Sequence, residues 1–379
     1  MPALCARGTD SRPGFAPNVS RPAVRALAPY VAGTSIEEVR RRFGHTRIVK
    51  LASNENPLGS SPLALAAVRS VDRLNLYLDD SHEALRERLG RSEGLQAENV
   101  VLGHGSNEIV NTIAQTFLDP GDEVVMADPT FSLYRLAVSL VGALPVEVPL
   151  LDGFHDIERM LAAVGPRTKA FFVCDPNNPT GTVLPEFAWN YLLEHLSPEV
   201  LLVIDRAYAE YLDAAGFDVA STVLGRGNVV VLRTMSKAYG LASLRFGYAF
   251  GDRESIGWLQ RVRLPFNVSR PAALGAAAAL DDRAFLERSI ALNAAERLRV
   301  TAELEARGMQ SYRSGANFYA VSVAGRAQEA YEALLEHGVI VRSGDALRMP
   351  GRLRVTVGTR EENDAFLAAL ADAKLVGSE

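Results

Sequence analysis

The 379 residues predict an α/β fold in which a large domain, built on a mainly parallel sheet between helices, is joined to a smaller α+β domain. Three observations carry this expectation. Continuous apolar runs at residues 171–174, 200–204 and 229–232 read as strands buried on both faces, as strands of parallel sheets are. Strand-like runs alternate with helical patterns from residue 100 to residue 250, the alternation of a parallel α/β sheet. Turn signals punctuate the runs, among them Pro120-Gly121 and the dense Asp175-Pro176-Asn177-Asn178-Pro179-Thr180-Gly181.

Taken in order, residues 1–25 carry Arg7, Arg12, Pro13, Pro17 and Arg21 without an apolar stretch, so they read as a flexible lead-in rather than a signal peptide. Residues 26–49 follow as an arm that joins the smaller domain, and residues 50–265 form the large one. Within it a short strand at residues 100–102 enters Gly103-His104-Gly105, after which Ile109, Ile113 and Phe117 recur at helical spacing. Further strands are expected at residues 123–126, 169–173, 200–204, 229–232 and 246–250. Residues 266–379 complete the smaller domain, and the alanine run at residues 276–279 fits a helix. Phe285, Ile290, Leu292, Leu298 and Leu304 give residues 283–307 the apolar face of one long connecting helix. Strand 318–323, helix 327–337, strand 353–357 and helix 361–373 then follow. A cap made from both chain ends is the simplest assembly.

Composition excludes several classes. The chain can bury a large core and divide into two domains. Apolar residues make up 48% and charged residues 22%, ordinary values for a soluble globular protein. A net charge of −5 offers no basic excess for nucleic acid. No stretch approaches the ~18 apolar residues of a membrane span. Cys5 and Cys174 are too few and too far apart for a disulfide framework, which makes a reducing cytoplasm the default. His82-Glu83 opens like a zinc H-E-x-x-H motif, but Arg86 fills its last place, and no metal is expected.

The chemistry centres on Lys237, one of four lysines among 40 basic residues. Most lysines are solvated, but this one follows the apolar run at residues 229–232, within Thr234-Met235-Ser236-Lys237-Ala238-Tyr239-Gly240. Unlike arginine, a desolvated lysine can lose its proton and attack a carbonyl. Two neighbouring runs end in Asn178 and in Asp205 with Tyr208. Ligands of open α/β sheets bind beyond the carboxyl ends of the strands, so these groups can converge on one site. Pyridoxal phosphate asks for such a set: a lysine for its aldehyde, a carboxylate for its ring nitrogen, and donors such as an amide and a phenol for its ring oxygen. Its phosphate asks for backbone amides at a helix N-terminus and a cation. Gly103 to Glu108 offers the helix N-terminus, Ser236 a hydroxyl and Arg245 the cation. Glu108 takes the sixth place of G-x-G-x-x-G, so a dinucleotide fingerprint is not supported.

The succession Gly103-His104-Gly105-Ser106-Asn107-Glu108, Pro129-Thr130-Phe131, Pro176-Asn177-Asn178-Pro179-Thr180-Gly181, Asp205-x-x-Tyr208, Ser236-Lys237-x-x-Gly240-Leu241 and Leu244-Arg245 resembles the fold-type I pyridoxal-phosphate aminotransferases. Within them Leu51-Ala52-Ser53-Asn54-Glu55-Asn56-Pro57, Pro29-Tyr30-x-x-Gly33 and Arg354-Val355-Thr356-Val357-Gly358 look most like the histidinol-phosphate aminotransferase group. The similarity runs from about Tyr30 to about Leu370.

That resemblance implies the cofactor pyridoxal 5′-phosphate and a role for each matching residue. Lys237 would carry the aldehyde and move the substrate's proton, Asp205 would contact the ring nitrogen, and Asn178 and Tyr208 would hold the ring oxygen. Phe131 takes the position of the ring-stacking aromatic. Gly105, Ser106, Asn107, Ser236 and Arg245 would surround the phosphate, with Tyr77 reaching in from the other subunit of a homodimer. Arg354 matches the arginine that grips a substrate carboxylate, while Tyr30, Asn54 and Arg342 match substrate-side positions. Departures include Arg206 where a glutamate is usual, Asn107 for aspartate, Leu78 for proline and Ser243 for glycine. The expected activity is ping-pong transfer of an amino group between an amine and a 2-oxo acid, 2-oxoglutarate by resemblance. Histidinol phosphate, an aromatic amino acid and a specialised amine stay open as donors, as do decarboxylation, elimination or oxidation on the same cofactor.

Overall fold

The computed structural model describes residues 20–25, 27, 33–212, 217–323, 327–373 and 375. In chain order its strands are β1 (Val49–Lys50), β2 (Val100–His104), β3 (Glu123–Asp128), β4 (Leu144–Pro149), β5 (Thr168–Cys174), β6 (Leu201–Asp205), β7 (Val229–Thr234), β8 (Phe246–Gly251), β9 (Phe318–Ser322), β10 (Val339–Ile340), β11 (Arg342–Ser343) and β12 (Arg352–Thr356). Seven of them form one sheet in the order β2-β8-β7-β6-β5-β3-β4. From β7 to β4 every pairing is parallel, while β8 runs antiparallel to both β7 and β2. The sheet is therefore mainly parallel, as the apolar runs predict.

Burial on both faces explains why those runs are continuous rather than alternating. On β5, Phe171 and Val173 enter one core while Ala170, Phe172 and Cys174 enter the other. On β7, Val229 and Val231 are divided from Val230 and Leu232 in the same way. The sequence reading has no counterpart of β4. Two prolines in Leu144-Pro145-Val146-Glu147-Val148-Pro149 obscure it, and they are tolerated because β4 pairs with β3 alone at the edge of the sheet.

A second sheet has the order β11-β12-β9 and is antiparallel throughout. β1 pairs in parallel with β10, so the segment before the large sheet is tied to the segment after it. Val49 and Leu51 pack there with Val300, Tyr319, Val355 and Phe366 in a core of their own.

The helix Arg283–Ala306 covers the predicted connecting segment, but its buried stripe differs from the one expected. Leu298 is exposed, whereas Phe285, Ser289, Asn293, Glu296, Val300 and Leu304 are buried. Three of these are polar, and each has a partner. The Asn56 side-chain amide donates to Ser289 Oγ at 2.7 Å, Asn293 donates to the Ala316 carbonyl at 3.3 Å, and Glu296 accepts from Asn363 at 2.8 Å. Apolar periodicity cannot report a stripe held by hydrogen bonds.

Candidate active site

Parallel strands deliver three groups to one rim of the large sheet. Asn178 lies in the turn after β5, Asp205 ends β6 and Lys237 follows β7. The Lys237 ammonium donates to the Ser53 carbonyl at 3.4 Å and lies 5.7 Å from the centre of the Tyr208 ring. Burial, then the positive charges of Arg354 and Arg245, lower its pKa to about 8, against the pull of Glu55 and Asp205. The amine thus gives up its proton far more readily than an ordinary lysine.

Asp205 is buried, and its neighbours are neutral donors. Tyr134 Oη donates to its Oδ2 at 2.6 Å, and the Ala207 amide donates to its Oδ1 at 3.0 Å. Burial pushes the carboxyl pKa up, while these two hydrogen bonds and Lys237 pull it back toward the anion. Tyr134 was not expected from sequence. It sits three residues after Phe131, in the helix Leu133–Val141, with its ring edge-on to Phe131 at 5.6 Å. The signal was a tyrosine on the apolar face of that helix, aligned with Ala137 and Val138, since a buried phenol needs a partner.

Tyr208, buried beside Phe318, has its phenol pKa raised by burial. Its oxygen accepts from Asn54 Nδ2 at 3.0 Å and from Asn178 Nδ2 at 3.4 Å. Arg354 on β12 donates to Asn178 Oδ1 and to the Ala52 carbonyl, each at 2.7 Å. Asn54 holds a left-handed backbone conformation with φ 55°. Its amide donates to Thr356 Oγ1 at 2.9 Å, and its carbonyl accepts from Asn317 Nδ2 at 3.0 Å. Asn317, too, went unanticipated, for lack of any local pattern. The segment bearing Phe131 is tied to the turn after β5 by Thr130, which donates to Asn177 Oδ1 at 2.9 Å, and by Asn177, which donates to the Pro129 carbonyl at 3.2 Å.

A cradle opens at the start of the helix Ser106–Phe117, whose first turn follows Gly105 and has no side-chain cap. Gly105 adopts φ 75°, and a Cβ there would collide with the Arg245 guanidinium. A Cβ on Gly247 would collide with the Ser106 amide. Bare backbone and a cation are thereby brought together where an anion gains most from the helix terminus. Arg245 donates to the Ala242 carbonyl at 2.9 Å, and Thr234 donates to Ser236 Oγ at 2.9 Å. Asn107 is exposed on the first turn. Glu108, which broke the glycine motif, braces the cradle: its Oε2 accepts from the His104 amide at 2.5 Å and from Asn267 at 2.8 Å.

Other expected residues stand apart from this cluster. Arg342 is half-buried on β11, in register with Arg354 on β12. Tyr77 is 79% exposed and stacks on Phe266 with ring centres 4.3 Å apart. Tyr30 lies outside the described residues. Arg206 turns away from Asp205 and pairs with Asp175 at 2.6 Å, so the reversed charge meets another carboxylate. Among the described residues no helix is long and apolar enough to cross a membrane.

Comparison with known proteins places the chain in a family. The chain is 43% identical over 355 residues to the histidinol-phosphate aminotransferase of Moorella thermoacetica, covering 93% of this chain and 92% of that protein. It is 45% identical over 358 residues to histidinol-phosphate aminotransferase 1 of Thiobacillus denitrificans, again covering 93% and 92%. The crystal structure of histidinol-phosphate aminotransferase from Sinorhizobium meliloti, in complex with pyridoxal-5′-phosphate, superimposes with a TM-score of 0.86 at 27% identity, covering 94% of this chain and 97% of that one. The model of the aminotransferase class I and II family matches residues 46–370, and with a lysine, an aspartate and an anion cradle gathered at the strand ends, the chain belongs to that family.

Proposed function

We propose that this protein is a pyridoxal 5′-phosphate-dependent aminotransferase that moves an amino group from histidinol phosphate to 2-oxoglutarate. The observation that carries the reading is the Lys237 amine, its pKa lowered to about 8, at the ends of the same parallel strands that carry Asp205 and Asn178. The residues fit the cofactor: an uncapped helix terminus with Arg245 for a phosphate, a buried carboxylate for a ring nitrogen, and a phenol with an amide for a ring oxygen. When bound, pyridoxal phosphate supplies an aldehyde and a ring that withdraws electrons from the substrate's α-carbon.

The chain's own residues do the rest. Lys237 would hold the cofactor through its aldehyde and, as the amine beside the substrate, would carry the proton from the substrate's α-carbon to the carbon that had been the aldehyde. Asp205 would hold the ring nitrogen in its positively charged form. Its Tyr134 and Ala207 bonds keep the carboxylate ionised and aimed. Asn178 and Tyr208 would hold the ring oxygen, with Phe131 available to the ring. The backbone at Gly105, Ser106 and Asn107, the Ser236 hydroxyl and Arg245 would hold the phosphate. Arg354 receives the acid group of each substrate in turn, because a guanidinium fork binds carboxylate and phosphate alike. Asn54, Arg342 and Tyr30 shape the far side of the substrate.

A homodimer and a cytoplasmic location belong to the same reading. Leu74, Leu76, Tyr77, Leu264 and Phe266 are exposed large apolar side chains, surface that a partner subunit would cover while Tyr77 reaches its phosphate. We further divide the chain into a large domain, residues 50–265, and a smaller one drawn from residues 26–49 and 266–379. Separate apolar cores around β5–β7 and around β9–β12 support two domains, but Val268, Ala272, Ala276 and Ala279 pack into the first core, which favours a boundary after residue 279 rather than at 265.

Two measurements test the reading. Borohydride reduction followed by peptide mapping is expected to place the pyridoxyl label on Lys237, and Lys237→Ala is expected to lower turnover by at least about 10⁴-fold. With 2-oxoglutarate as acceptor, kcat/KM for histidinol phosphate is expected to exceed that for phenylalanine by at least about tenfold. The reverse order would make the enzyme an aromatic amino-acid aminotransferase, and release of carbon dioxide, acceptor-free ammonia or peroxide would replace transamination altogether.

A further inference from the structure

Arg206 and Asp175 carry buried charge beside the site without touching it. Each follows a strand end, and the residues before them, Asp205 on β6 and Cys174 on β5, are in register. Alternation along the chain sends Arg206 to the face opposite Asp205. There its guanidinium lies 4.9 Å from the centre of the Phe217 ring, and its Nη1 donates to Asp175 Oδ2 at 2.6 Å. The same carboxylate accepts the Leu184 amide at 2.8 Å and the Trp189 indole N–H at 3.3 Å. The two side chains are 11% and 1% exposed, so the pair is largely shielded from water.

Stability alone does not account for such a pair, because apolar residues of similar volume often serve as well or better. What a buried ion pair fixes is arrangement. Asp175 also binds its own strand neighbour, its amide donating to the Asp205 carbonyl at 2.9 Å, while the Arg206 amide donates to the Leu232 carbonyl on β7 at 2.9 Å. Asn178 lies three residues beyond Asp175, Tyr208 two beyond Arg206, and their polar tips stand 3.4 Å apart. Next along the sheet Arg233 on β7 bridges Glu93 and Glu210, each at 3.0 Å. Charges of alternating sign thus run beneath the three strand ends that present Asn178, Asp205 with Tyr208, and Lys237.

We infer that Arg206 and Asp175 are a positioning pair for transamination, setting the spacing of the turns after β5 and β6 so that Asn178 and Tyr208 meet one cofactor oxygen together. The inference rests on the cofactor reading above. It also gives a use to the arginine that replaces the glutamate usual in the family this sequence resembles.

The test compares the reconstituted wild-type enzyme with Arg206→Gln, Arg206→Lys, Asp175→Asn and the Arg206→Gln/Asp175→Asn double variant. Four quantities are read: thermal midpoint, dissociation constant for pyridoxal phosphate, pH midpoint of the bound cofactor's visible band, and kcat with KM. Each neutralising single variant is expected to lose kcat about tenfold, or about 1.4 kcal/mol of barrier, and to shift the band midpoint. KM should change by less than about threefold, because binding groups stay in place. Arg206→Lys should recover most of kcat. The double variant should recover the thermal midpoint but not the band. Variants that lose thermal stability alone, with native kcat, cofactor affinity and band midpoint, would overturn the proposal. Should Arg206→Gln fail to fold, Arg206→Lys and the double variant carry the same comparison. A wild-type protein that shows no visible band with the cofactor would instead remove the reading beneath it.

Discussion

Asp175 and Asp205 stand at the ends of adjacent strands, are equally hidden from water, and are treated in opposite ways. Asp175 meets a guanidinium, and the acids and arginines beyond it are matched in turn. Asp205 meets a phenol and a backbone amide. On one face of the sheet charge is neutralised at once; on the other it is held chiefly by dipoles, with Lys237 the smaller influence, and left to act on whatever binds. A carboxylate meant to face a cationic ring, the role proposed for Asp205, cannot already be paired with an arginine. The end of β6 supplies both kinds, Asp205 to one face and Arg206 to the other, because successive side chains point to opposite faces.

The most direct way to break this contrast is to remove the unneutralised charge. Asp205→Asn is expected to lower kcat by roughly 10²–10³-fold, the scale of losing one preorganised electrostatic contact at a reacting centre. Its fold should hold, since burial already raises the Asp205 pKa. A raised pKa means that the ionised form costs stability above it, so an uncharged isostere is neutral or mildly stabilising at pH 7. Steady-state rates set against a urea titration check both halves, and a variant with native kcat would end the special status of Asp205.

A smaller effect is expected from the dipole. Tyr134→Phe removes one buried donor to a carboxylate, about 1.5–3 kcal/mol for a hydrogen bond to a charged group. Part of that loss should appear in kcat and part in a rise of the Asp205 pKa, readable as a weaker pH-dependent cofactor band. If the band and kcat of Tyr134→Phe match wild type, the phenol serves packing alone.

The mildest test changes no residue. The Lys237 pKa is lowered to about 8, so the neutral amine is scarce well below that pH and abundant above it. The rate at which cofactor-free protein captures the aldehyde should therefore rise through pH 8 and level off, followed by absorbance after rapid mixing. A rate that keeps climbing toward pH 10 would mean an ordinary, solvated lysine.

The sheet and the Lys237, Asp205 and Asn178 trio were legible in sequence for one physical reason. Strands buried on both faces write uninterrupted apolar runs, and the polar residue that ends each run marks the rim. β4 was not legible, since an edge strand tolerates the prolines that disqualify a central one. Tyr134 was hidden because an aromatic in an apolar stretch looks like core until its hydroxyl finds Asp205. The Asn54 contacts with Thr356 and Asn317 lie beyond any local pattern, and the stripe of the long helix Arg283–Ala306 failed because it is written partly in hydrogen bonds. The direction of Arg206 could have been read from alternation, but its partner Asp175 could not.

Pairing of β1 with β10, and of Asn54 with Thr356, joins positions almost a whole chain apart. On the ribosome the seven-stranded sheet, complete by Gly251, has emerged long before those partners exist. A nascent chain would therefore hold its lysine and aspartate in an unfinished pocket until residues 339–356 emerge to form the clasp that closes it.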